Sequence, residues 1–256
     1  MKIIYRLISF VQYQWHSKTK YYLHSPFVYQ FYLHVLEGDT DGNIREINKL
    51  RQQLRSTNTI LKVTDFGTGN NRNVSVTNLE RQVAVRPKYG ELLYRLVNYL
   101  NPIGITEIGT SIGLSTCYMA KGCNATIVTL EGAPEIVDQA RQNLAALNIK
   151  NVEILVGEFA TTLPQALNRI PMGCMVFFDG NHTKQATLQY FELCLDKANE
   201  DSVFIFDDIH WSAEMQHAWQ QIIQHQQITL SIDVYQFGIC FFRKDKLAKE
   251  HFVLRY

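Results

Sequence analysis

The sequence predicts an α/β chain: a doubly wound, mostly parallel sheet of seven strands that ends in an antiparallel hairpin, preceded by a helical N-terminal appendage. Three observations carry this. Short apolar runs at 103–108, 125–130, 152–156, 174–178 and 202–206 alternate with helical patterns such as P-E-I-V-D-Q-A-R-Q-N-L-A-A-L, as in strands covered by helices on both faces. The last two apolar runs, I-T-L-S-I-D-V and F-G-I-C-F-F, are too close together for a crossover helix and therefore pair antiparallel. Residues 1–40 instead crowd aromatics, from Tyr5, Phe10, Tyr13 and Trp15 to Phe31 and Tyr32.

The N-terminal stretch M-K-I-I-Y-R-L-I-S-F-V-Q-Y-Q-W begins like a secretory leader, but Arg6 interrupts it and no small-residue cleavage site precedes Gln12 and Gln14. No apolar run reaches the roughly 18 residues of a membrane helix, so a cytoplasmic chain without a membrane partner is expected. Ser25-Pro26 starts a helix that runs to Gly38, with proline at its first position. The appendage, residues 1–85, packs its aromatics on the core or on a second subunit of a homodimer, or else caps an acceptor pocket. Ile44, Ile47, Leu50 and Leu54 mark an amphipathic helix after it, and Pro87 opens another that Asn101-Pro102 ends. Residues 86–256 form the α/β domain.

Composition narrows the classes. A hydrophobic share of 46%, a charged share of 19% and a net charge of +1 over 256 residues fit a globular chain without the overall basic footprint of a duplex binder. Cysteines 117, 123, 174, 194 and 240 are odd in number and lack metal spacing, so they read as reduced thiols rather than a disulfide framework.

The stretch Ile105–Glu131 is one βαβ unit with a nucleotide-type pocket at its mouth. Gly109 and Gly113 let a ligand approach the backbone, the helix start after them offers N–H groups, and Glu131 ends the next strand where it can accept from ribose hydroxyls. The spacing G-x-x-x-G differs from the dinucleotide fingerprint and points to an adenosyl ligand without a pyrophosphate. Asp65-Phe66-Gly67-Thr68-Gly69 competes as a glycine turn. No strand ending in an acid follows it, so it reads as a turn near the acceptor.

Three further motifs end strands: Gly157-Glu158-Phe159, F-F-D-G-N-H with Asp179, and F-I-F-D-D-I-H-W with Asp207 and Asp208. Carboxylates from two adjacent strands gather negative charge that a hard cation would neutralise, with Mg²⁺ or another divalent ion as the expected partner. The alternative is that Asp179 and Asp207 cap strands and orient a cofactor amine without metal. His210-Trp211, and Tyr235 with Phe237, either line the pocket or pack its wall.

Over residues 86–243 the pattern resembles the class I S-adenosylmethionine-dependent methyltransferases, with their Rossmann-like sheet and terminal hairpin. The two Asp motifs look like the catechol and caffeoyl-CoA O-methyltransferase branch. The resemblance implies that Glu107 contacts the methionyl end of S-adenosylmethionine, that Gly109, Thr110, Ser111, Gly113 and Ser115 wrap its amino-acid portion, that Glu131 holds the ribose, and that Gly157 and Glu158 read the adenine. It implies Asp179, Asp207 and Asp208 as metal ligands, with Asp208 standing where that branch usually has Asn. His182 stands in place of the branch's lysine base, Lys184 is a second candidate, and the acceptor is a small hydroxylated molecule. Two alternatives remain: a methyltransferase acting on a hydroxylated tRNA base, with Lys2, Arg6, Lys18 and Lys20 on RNA, and a non-catalytic binding module.

Overall fold

The structure is a computed structural model that describes residues 2–40, 42–64, 71–245 and 248–256. Along the chain its elements are α1 (Lys2–His16), α2 (Pro26–Phe31), α3 (Asn43–Ser56), β1 (Ile60–Thr64), β2 (Asn71–Ser75), α4 (Val76–Asn78), α5 (Pro87–Leu100), β3 (Gly104–Ile108), α6 (Leu114–Gly122), β4 (Thr126–Glu131) and α7 (Pro134–Ala146). They continue as β5 (Val152–Val156), α8 (Phe159–Arg169), β6 (Met175–Phe178), α9 (Lys184–Leu195), β7 (Val203–Asp207), α10 (Ala213–Gln224), β8 (Leu230–Asp233), β9 (Phe237–Phe241) and β10 (Glu250–Val253). The fold is α/β and Rossmann-like, with eight strands in its main sheet. All five expected parallel strands are present, each starting within a residue of the apolar run that announced it.

The chain divides into two compact units, residues 34–170 and residues 1–33 with 171–256. These do not follow the expected division at residue 85. The first 33 residues group with the C-terminal half, where Tyr13 donates its hydroxyl to the Leu254 carbonyl at 2.6 Å.

In the unit of residues 34–170, β3, β4 and β5 run parallel, with Glu107 opposite Thr129 and Glu131 opposite Val156. Their carboxyl ends therefore lie side by side. Ile105, Ile108, Ile127, Val128 and Leu130 are buried there, as continuous apolar runs require. β1 and β2 form an antiparallel pair. The competing turn Asp65–Gly69 lies outside the described residues. Buried Glu80 is held by Arg51 at 2.8 Å and Arg55 at 2.6 Å, which ties α3 to the stretch before α5.

In the other unit the strand order is β10-β8-β9-β7-β6. The expected hairpin is β8 with β9, antiparallel, and β9 also runs antiparallel to β7. The eighth strand, β10, was not expected; it pairs parallel to β8. Its four residues, E-H-F-V, are too short and too charged to show as an apolar run. Phenylalanines fill this core: Phe178 stacks on Phe206 at 4.3 Å, and Phe177, Phe191, Phe204 and Phe237 are almost fully buried. All five cysteines are free thiols, and burial raises the Cys174 thiol to about 11.

Candidate active site

At the end of β3 the chain turns through three left-handed residues within five positions, Gly109 (φ 105°), Ser111 (φ 47°) and Gly113 (φ 77°). Glycine adopts that region freely; serine there carries a backbone cost, of a kind that gathers at functional sites. Two anchors hold the turn. Gly109 and Thr110 donate their N–H groups to the Leu130 carbonyl of β4, and Ser111 donates its N–H to Glu131 Oε2 at 2.9 Å. Glu131 Oε1 accepts from the Ala133 N–H at 3.1 Å, so the acid stands fixed at the strand end with lone pairs to spare. Ser111 Oγ is buried and has no hydrogen-bond partner among the described residues. A partnerless hydroxyl in a clamped turn, beside a fixed acid and the start of α6, fits a polar adenosyl ligand.

Glu107 lies behind the turn. It is 0% exposed, and its two oxygens accept hydroxyls from Ser115 (2.6 Å), Thr129 (2.7 Å) and Thr116. Burial pushes its carboxyl up to about 7, against the lowering effect of those three bonds. Thr110, also buried, meets Thr129 at 2.7 Å. Glu107, Thr110 and Ser115 thus brace the turn from behind, while Gly109, Ser111, Gly113 and Glu131 outline it. At the end of β5, Gly157 (φ 144°) donates its N–H to the Glu131 carbonyl, and Glu158, exposed, caps α8.

In the other unit, Asp179 follows β6, and Asp207 and Asp208 close β7. His182 Nε2 stands 3.7 Å from Asp179 Oδ1 and 3.9 Å from Asp208 Oδ2. Gln236 reaches from the β8–β9 turn and donates its amide to Asp207 Oδ1 and to Asp208 Oδ1, both at 2.6 Å. Asp207 Oδ1 also accepts the Asp208 N–H at 2.7 Å. Asn181, Asp208 and Tyr235 all take left-handed backbone here, at φ 55°, 57° and 70°. With Ser111 they are four of the six left-handed non-glycine residues described; the other two, Asn101 and Asn148, end helices. Lys184 opens α9, half-buried; of the two candidate bases, His182 is the one with its ring nitrogen within 4 Å of two acids.

The expected metal ligands do come together, but as arranged they do not fit a divalent ion. The Gln236 amide and the Asp208 N–H occupy the near oxygens of Asp207 and Asp208. Among the described residues no group of three or more His, Cys, Asp or Glu could hold a metal ion. His210 is part of the pocket wall: its Nε2 lies 2.7 Å from Asp233 Oδ2, its Nδ1 3.0 Å from Ser9 Oγ, and its ring stacks on Tyr235 at 5.2 Å. Phe237 is core. Arg6 lies over the Trp211 ring at 4.1 Å, and these two with Asp208, His210, Tyr235 and Gln236 line a small pocket.

A hairpin-ended α/β sheet, with a strained glycine turn after one strand and acids closing others, defines a methyltransferase-type fold. Residues 106–209 match the family described as "Methyltransferase domain". A catechol O-methyltransferase of Mycobacterium tuberculosis is 30% identical over 131 residues, which are 50% of this chain and 58% of that protein. In structure, the O-methyltransferase from Bacillus cereus in complex with SAH superposes with a TM-score of 0.57 at 22% identity, covering 84% of this chain and 96% of that one. The O-methyltransferase TomG from Streptomyces achromogenes, in complex with SAM, gives a TM-score of 0.58 at 20% identity, covering 84% and 95%. Over residues 106–209 the chain thus matches a methyltransferase domain, in sequence it is similar to a catechol O-methyltransferase, and in fold it is similar to solved O-methyltransferases. The match spans little more than half the length of its curated catechol relative.

Sequence reasoning missed Gln236, Ser9 and Asp233. Gln236 lies between Tyr235 and Phe237, which the sequence did mark for the pocket, but only the register of β9 on β7 shows that it reaches the acids. The bracing role of Glu107 had a readable signal, since Ser115 and Thr116 follow it by eight and nine positions.

Proposed function

We propose that this chain transfers a methyl group from S-adenosylmethionine to an oxygen of a small hydroxylated acceptor. The observation that carries the reading is the clamped turn Gly109–Gly113, with the Ser111 hydroxyl left without a partner among the described residues and Glu131 fixed beside it. The bound cofactor supplies an electrophilic methyl group on a sulfonium, a leaving group that departs as a neutral thioether.

The chain's share is to orient the cofactor and to take a proton. Gly109, Ser111 and Gly113 bring backbone against the amino-acid portion, and Glu131 accepts from the ribose hydroxyls. His182 Nε2 takes the proton of the acceptor hydroxyl as the new O–C bond forms. Asp179 and Asp208 place negative charge beside the ring as it becomes cationic, at 3.7 and 3.9 Å. Gln236 holds Asp207 and Asp208 without a metal, so no step is assigned to an ion. Similarity to a catechol O-methyltransferase supports an aromatic diol as the first acceptor to try.

The test is to incubate the full chain with methyl-labelled S-adenosylmethionine and catechol, with and without EDTA. We expect labelled O-methyl product at comparable rates in both. No transfer to catechol or to other small hydroxylated aromatics, despite cofactor binding, contradicts the reading. Loss of all turnover in EDTA contradicts the metal-free arrangement.

A further inference from the structure

The turn between β8 and β9 puts one amide between two acids. Val234 donates its N–H to the Phe237 carbonyl at 2.9 Å, Tyr235 donates its N–H to Asp233 Oδ1 at 2.8 Å, and Gln236 donates its N–H to the Val234 carbonyl at 3.0 Å. Tyr235 takes left-handed backbone there, at φ 70°. Its ring stacks on His210 and its hydroxyl donates to the Arg6 carbonyl, contacts that offset the backbone cost. On the facing strand end Asp208 is left-handed as well, at φ 57°. Two unfavourable backbone conformations thus flank one contact, in which Gln236 Nε2 lies 2.6 Å from Asp207 Oδ1 and 2.6 Å from Asp208 Oδ1.

That nitrogen stands where an ion would stand. Mg²⁺ and Ca²⁺ hold carboxylate oxygens at about 2.0–2.6 Å, and a cation joining these two oxygens has to lie between them, as Nε2 does. Both amide hydrogens go to the acids, and Asp207 Oδ1 takes the Asp208 N–H besides, at 2.7 Å. Asp207 is buried, so its carboxylate needs donors or a cation. The amide supplies donors without adding charge.

We propose that Gln236 is a positioning residue that replaces the divalent ion, and that the acceptor in consequence engages through a single oxygen. A coordinated ion keeps open positions, and two adjacent oxygens of a vicinal diol fill them well. An amide with both hydrogens committed offers no such position. The acceptor then meets one group, His182, whose Nε2 is 3.9 Å from Asp208 Oδ2, the oxygen of that acid not bonded to Gln236. A phenol with one hydroxyl is therefore methylated about as readily as a catechol. This second half rests on the methyl-transfer reading; the replacement of the ion does not.

The experiment measures Mn²⁺ binding by the full chain, as loss of the free-ion electron paramagnetic resonance signal, beside transfer from labelled S-adenosylmethionine to catechol and to phenol. Wild type is expected to leave Mn²⁺ free at about 100 µM. Gln236→Ala, which empties the position, and Gln236→Glu, which puts a carboxylate there, are each expected to bind Mn²⁺ at least tenfold more tightly than wild type. Wild type that takes up Mn²⁺, with the uptake lost in Asp207→Asn, overturns the proposal without any change at Gln236. So do two Gln236 variants that bind no better than wild type. In EDTA, wild type is expected to methylate phenol at a rate within tenfold of catechol. Transfer to catechol with none to phenol overturns the acceptor half. No transfer to either contradicts the methyl-transfer reading instead, and the Mn²⁺ result still decides on Gln236.

Discussion

Two residues carry the sharpest tests: His182, the proposed base, and the buried acid Glu107. Replacing His182 by alanine is expected to lower kcat by about 10²–10⁴-fold, with S-adenosylhomocysteine binding unchanged and with partial rescue by added imidazole. A variant with wild-type kcat moves the base elsewhere, with Lys184 the first candidate. Glu107 is a pH gauge for stability. Burial raises its carboxyl to about 7, while the unfolded chain titrates near 4.5. The native chain therefore keeps a proton that the unfolded chain releases. This group favours folding fully below pH 4.5, and the contribution fades as pH rises to about 7. The span corresponds to roughly 3 kcal/mol. Glu107→Gln is expected to flatten urea-denaturation stability between pH 4.5 and 7; an unchanged slope there would refute the assignment.

Elements show what the sequence could and could not reveal. Strands buried on both faces are continuous apolar runs, so β3, β4, β5, β6 and β7 were legible within a residue or two. The glycine turn was legible because left-handed backbone selects glycine at 109 and 113. Contacts made by register were not. Phe237 pairs with Asp207 across β9 and β7, which sets the preceding residue, Gln236, beside the two acids. Thr129 pairs with Glu107 across β4 and β3 in the same way. Each partner is more than 20 positions away, and no local pattern shows either contact. α3 carries a similar hidden contact in Arg51, buried against Glu80. Glu80→Ala leaves that guanidinium buried without its acid and is expected to cost about 3–5 kcal/mol. Chemical denaturation checks this, and a loss under 1 kcal/mol would show that Arg51 finds other partners.

At the scale of the whole molecule, the chain divides into two compact units. Residues 34–170 hold the turn and Glu131; residues 171–256, with the first 33, hold the three acids, His182 and Gln236. The sequence suggested an appendage followed by a domain. It could not show that α1 docks through hydroxyls and through tilted and edge-on ring contacts, because the apolar periodicity of that helix points outward. The claim on which the rest depends is that the turn after β3 is the cofactor site. Calorimetric titration with S-adenosylhomocysteine tests it most directly. Wild type is expected to bind one equivalent per chain, and Glu131→Ala at least tenfold more weakly, about 1.4 kcal/mol. No binding by wild type, or equal affinity in the variant, would contradict the account.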